Sequence, residues 1–223
     1  MAAALPDFDY SVRRSERSRR VRVSVSAEKG VEVVLPKRAP AREAQRAVVE
    51  LRPWIERRLR EVEATKAFVA ARGDTVPYLG TELRLQAERG RTRVHRRGDV
   101  LLVPEGAEER RDALERWYRR MAREEIAPRL DRAVRELGTT YTKLTIRNQK
   151  TRWGSCSSTG AMSFNWRLLL APEPVLDYVV WHEACHRLHM DHSPRFWGLV
   201  ARHVPGYAEP RRWLRRYGGT LVL

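Results

Sequence analysis

The sequence predicts an α+β fold, on three observations. Short alternating segments punctuated by glycine and proline occupy residues 10–35 and 73–104, on either side of a helical stretch. A long charged stretch over 108–137 then carries apolar residues at helical spacing, and the last third holds an apolar helix followed by two short ones. With 223 residues, 42% of them hydrophobic, the chain can bury a real core, which excludes a disordered tail or a mini-protein. The texture divides into a β-rich and helical region, residues 1–106, and a second domain, residues 107–223.

Along the first region, Val21, Val23 and Val25 alternate with Arg22 and Ser24, and Gly30 turns the chain into Val31–Leu35. That pattern is a hairpin with one wet face. Ala41 to about Ala71 forms a helix with Val48, Leu51, Ile55, Leu59 and Val62 on its stripe, kinked or divided by Pro53. Turns at Leu79-Gly80, Gly90 and Gly98-Asp99 then separate strands over 82–85, 92–94 and 100–103.

In the second domain, a helix over 108–137 buries Leu114, Trp117, Met121, Ile126, Leu130 and Leu137 and contains Pro128. Leu144–Ile146 is a short strand, 147–160 a polar loop or edge segment, and 162–170 a further extended run. Pro172 and Pro174 open a helix from Glu173 to about His189, and shorter helices follow over 195–203 and 209–217.

Charge narrows the partners. Lysine and arginine number 44 against 28 acids, a formal net charge of +16, and only five of those cations are lysines. Codon preference in a GC-rich genome explains arginine over lysine; it does not explain basic over acidic, so an acidic partner is indicated. Between Tyr141 and Leu170 lie Lys143, Arg147, Lys150, Arg152 and Arg167 with no acid among them. Two cysteines, Cys156 and Cys185, are too few for a disulfide framework or a thiolate zinc cage. With no signal-peptide pattern and no uncharged apolar run of about 18 residues, a cytoplasmic protein that does not enter membranes is expected.

The chemistry sits at His182-Glu183-Ala184-Cys185-His186. Imidazoles at i and i+4 project from one helix face and can share a tetrahedral metal at about 2.0–2.1 Å, while Glu183 lies a quarter-turn away, able to reach a water but not the metal. A catalytic zinc needs a third protein ligand. His189 on the same straight helix would stretch the set over about 10.5 Å of axis. His192 follows the helix stop at Asp191-Ser193-Pro194 and can return from another direction, and His203 could reach in from the next helix.

The run Ile146-Arg-Asn-Gln-Lys-Thr-Arg-Trp-Gly-Ser-Cys-Ser-Ser158, with Phe164-Asn-Trp-Arg-Leu168, Leu176–His186 and His192-Ser-Pro-Arg-Phe-Trp197, resembles the YgjP-like branch of the zincin metallopeptidases. More distantly it is similar to WLM and SprT-like domains. The resemblance implies a zincin-like domain, zinc held by His182, His186 and His192, and Glu183 as catalyst. Asp191 stands where the family pattern has Asn, and Ala184-Cys185 where it has Leu-Ala; neither change removes a ligand.

The expected function is therefore zinc-dependent hydrolysis of peptide bonds, with Glu183 as general base. Arg147, Lys150, Arg152 and Asn165, in the segment preceding the metal helix, are the expected substrate contacts. Two alternatives stand beside it: metal-dependent hydrolysis of a nucleotide or other phosphorylated compound, and a nucleic-acid-associated protein with a structural zinc, both suggested by the basic surface.

Overall fold

Val31, Val33 and Leu35 alternate along β3 (Gly30–Pro36) and are buried, which makes that strand the centre of a three-stranded sheet. The order is β1-β3-β2, with β2 (Arg22–Ser26) antiparallel to β3 and β1 (Tyr10–Ser15) parallel to it. The expected hairpin is present, with Val23 opposite Val33. The helical stretch divides at Leu51 into α1 (Arg42–Glu50) and α2 (Arg52–Ala70), with Pro53 in the first turn of α2, where its missing N–H would have no partner anyway. Ala44, Val48 and Ile55 complete this small core. The computed structural model describes residues 8–149 and 151–223; Lys150, one of the expected substrate contacts, lies outside them.

The chain forms two compact units, divided between Ala71 and Arg72. In the second, β4 (Thr75–Tyr78), β5 (Thr81–Glu88), β7 (Val100–Pro104) and β6 (His95–Arg97) form a sheet in that order. Val76, Leu83, Leu101 and Val103 of this sheet share one core with Trp117, Ile126 and Leu130 of α3 (Ala107–Glu136). The division expected at 106/107 is displaced to 71/72 for that reason: strands 75–104 bury their apolar face in the same core as α3. The strand expected over 92–94 also shifts, to His95–Arg97, where it pairs with β7. Met121 is only partly buried, and the other expected core positions of α3 are buried as anticipated.

A third sheet precedes the last three helices: β8 (Lys143–Arg147), β10 (Ala161–Asn165) and β9 (Gly154–Cys156), in the order β8-β10-β9. A 3-10 turn over Trp166–Leu170 leads into α4 (Glu173–Cys185), followed by α5 (Pro194–His203) and α6 (Ala208–Tyr217). Among the described residues no helix is long and apolar enough to cross a membrane.

Candidate active site

α4 is apolar on nearly every side: Val175, Leu176, Val179, Val180, Trp181, Ala184 and Cys185 are all buried. Its first turn is tied to α3 by Arg129, whose Nε donates to Asp177 Oδ1 at 3.0 Å and whose other nitrogens bond Glu125 and Glu173. Three acids around one half-buried guanidinium fix the start of the helix. Its far end tightens after Cys185, whose carbonyl accepts from the N–H groups of both Leu188 and His189. The helix therefore stops four residues before the expected His189. Asp191 Oδ1 then accepts from Ser193 N at 3.3 Å, and Pro194 opens α5.

This early reversal carries His192 back over α4, where its Nε2 lies 3.1 Å from His182 Nε2. The ligating atoms of His182, His186 and His192 all lie within 4.8 Å of one another. His186 Nδ1 donates to the backbone carbonyl of His189 at 2.9 Å, which places that ring's proton on Nδ1 and leaves Nε2 as a lone-pair donor. Burial, reinforced by the two neighbouring imidazoles, pushes His182 down to about 3, so its ring is neutral at physiological pH. Burial likewise lowers His186. Neutral imidazoles are the form that binds metal. His182 Nδ1 is buried with no protein partner, so the ring's polarity is not spent inside the fold. Three convergent imidazoles, one with its tautomer fixed, fit a divalent metal of the zinc type. Phe196, fully buried, lies under all three rings, with centroids 4.5–4.9 Å away.

Glu183 is 6% exposed, and burial pushes its carboxyl up to about 8 against the opposing pull of Arg152. It faces a cavity of about 350 Å³ whose walls include Thr151–Gly154, Tyr178, His182, Arg211, Leu214 and Arg215. Gly154 closes against it: a Cβ there would meet Glu183 Cγ and Oε1 at 2.6 Å. With no room for the carboxylate to retreat, Gly154→Ala is expected to lower turnover at least tenfold while metal content stays at wild-type level. Steady-state kinetics beside metal analysis of the same preparation checks this.

The remaining expected site residues separate. Arg152 lines the cavity, whereas Arg147, exposed at the end of β8 and paired in register with Asn165, does not. Asn165 is 1% exposed and fully engaged: its Nδ2 donates to the carbonyl of Gln149 at 2.7 Å and its Oδ1 accepts from Arg167 N at 3.1 Å. It ties down the backbone at Gln149 and Arg152 and caps the 3-10 turn, and has no group left for a substrate. His189 contributes its carbonyl rather than its ring, and His203 stacks on Trp181 with centroids 4.4 Å apart, outside the cluster. Burial raises both thiols, Cys185 to about 12, so neither is an activated nucleophile. Sequence reasoning did not single out Gly154, Phe196 or, within the basic stretch over 195–216, Arg211 and Arg215. The last two did leave a signal, since they stand one helical turn apart on α6.

The family model for the YgjP-like metallopeptidase domain matches residues 19–217. The chain belongs to the YgjP-like family. The match runs through both compact units and takes in β2 and β3 of the N-terminal sheet as well as α4. No curated protein matches with significance. Among solved structures, that of the metallopeptidase zymogen of Pyrococcus abyssi abylysin is similar over 42% of this chain and 95% of its own, with 25% identity and a TM-score of 0.38.

Proposed function

We propose that the protein is a zinc-dependent peptidase in which His182, His186 and His192 hold the metal and Glu183 is the general base. One observation carries the reading: three imidazoles converge beside a buried carboxylate that opens on a cavity. When bound, zinc supplies Lewis acidity, polarising a carbonyl and lowering the pKa of water toward ~7. Glu183 accepts the proton of the attacking water at its carboxylate and returns it to the departing amine. Tyr178 lines the same cavity, and burial raises its hydroxyl to about 12, which keeps it a hydrogen-bond donor at working pH.

Strand β9 supplies a place for extended substrate. Asn165 N donates to the carbonyl of Trp153 at 2.8 Å and Ser157 N to that of Ala161 at 2.9 Å. In the antiparallel alternation, Ser155 and Ser163 are then the bonded pair between them, and Gly154 and Cys156 turn their N–H and C=O groups to the free edge of the sheet. A peptide can pair there as an added strand, next to Glu183.

The test uses metal-loaded protein with a panel of unfolded proteins and nucleoside triphosphates. Cleavage of the unfolded proteins, lost with a chelator and restored by zinc, is expected. Hydrolysis of the nucleotides alone would overturn the peptidase reading.

A further inference from the structure

The cavity beside Glu183 carries a charge pattern that peptide hydrolysis by itself does not require. Arg152, Arg211 and Arg215 line it, with Glu183 as its one acid. Elsewhere this chain pairs its arginines along helices at i,i+4, as in Arg46–Glu50, Arg119–Glu115 and Arg129–Glu125. The cavity arginines break that habit: none of the three has a carboxylate within ion-pair distance among the described residues. Glu209, the acid of α6, is spaced three residues from Arg212 and at neither three nor four from Arg211 or Arg215.

Arg211 is also held in place. Its guanidinium rests 4.4 Å over the Trp197 ring, which stacks on Tyr207 with centroids 5.2 Å apart and planes 12° from parallel. A cation–π contact of this kind holds the guanidinium in place without using its N–H donors, whose fork matches a planar carboxylate. Arg215 follows one turn along the same helix, and Arg152 comes from a separate element, two residues before β9. Cations from two elements, one of them held over an aromatic ring, line the same cavity as the candidate base.

We infer that Arg152, Arg211 and Arg215 form a subsite for a carboxylate of the peptide, so that acidic peptides are the preferred substrate class. The inference rests on the peptidase reading, and the carboxylate comes either from an Asp or Glu side chain or from a free C-terminus.

The test is a binding titration on the full-length, zinc-loaded Glu183→Gln protein, followed by tryptophan fluorescence, since Trp153 and Trp197 border the subsite. Three peptides are compared: one with a Glu-rich core and blocked ends, its Gln counterpart with blocked ends, and that counterpart with a free C-terminus. The expected result is at least tenfold tighter binding of the first or third than of the second. The first assigns the side chain as the source and the third the terminus. Adding Arg211→Gln with Arg215→Gln should erase the preference and leave the neutral peptide's affinity within about twofold. Should that double change disturb folding, Arg215→Gln alone, an exposed position, should reduce the preference several-fold. Arg17→Gln with Arg19→Gln, an equal charge change on the loop after β1, controls for general attraction to a basic protein. Equal binding of the three peptides, a preference that survives in the cavity variants or is lost equally in the control, or tight binding of a nucleoside triphosphate with no preference among peptides overturns the inference. Because the titration needs no turnover, absence of hydrolysis by the wild type sinks the peptidase reading separately.

Discussion

Glu183→Gln is expected to reduce peptide hydrolysis by about 10²–10⁴-fold, the range for removing a positioned general base, while zinc stays bound at wild-type level. Retained activity with retained zinc would remove Glu183 from the mechanism. The same substitution has a second signature in metal-stripped protein. Burial raises the Glu183 carboxyl to about 8 from its ordinary 4.5, so the folded state holds a proton there that the unfolded chain has released. Over that window the unfolded state binds fewer protons, and wild-type stability falls as pH rises from about 4.5 to about 8 and then levels. Gln has no such slope. At pH 8 the stripped variant should be the more stable protein by about 3–5 kcal/mol, since each tenfold difference in proton affinity between the folded and unfolded states is worth about 1.4 kcal/mol, and the gap should close below about pH 4.5. His182 acts in the opposite sense in both proteins: its ring is depressed to about 3, so stability is lost as pH falls from about 6.5 through 3. Denaturant titrations of the pair at several pH values isolate the Glu183 contribution as their difference.

His192→Ala is expected to weaken zinc retention by more than two orders of magnitude, exceeding the 10–100-fold typical of losing an outer partner of a ligand. His189→Ala should leave affinity near wild type, because residue 189 contributes only its backbone carbonyl to His186. The two variants lie three residues apart in one turn, so general disturbance of the loop would affect both alike. Competition against a chromophoric chelator measures the affinities. The reverse ordering would remove His192 from the ligand set.

What the sequence made legible follows the range of the contacts involved. The pair His182 and His186 is an i,i+4 matter, and the return of His192 was foreshadowed by the stop signals at Asp191, Ser193 and Pro194, all local. The division of the helical stretch just before Pro53 and the long helix through Pro128 were readable for the same reason. Gly154 was not, since its role depends on the side chain of a residue on another element. Asn165 misled because a polar residue beside a basic loop looks identical in sequence whether it faces a substrate or closes the loop. The parallel pairing of β1 with β3, and the membership of strands 75–104 in the α3 core, likewise depend on topology, which alternation does not encode.

The turn between α4 and α5 has a kinetic and a thermodynamic side. All three imidazoles, and the carbonyl that orients one of them, fall between positions 182 and 192. Closing so short a loop costs about 2 kcal/mol less chain entropy than closing one ten times longer. The cluster can therefore gather on an incompletely folded chain, before the strands that wall the cavity have paired. Metal captured at that stage binds the unfolded ensemble as well as the native one, and stabilises the fold by less than its native affinity alone implies.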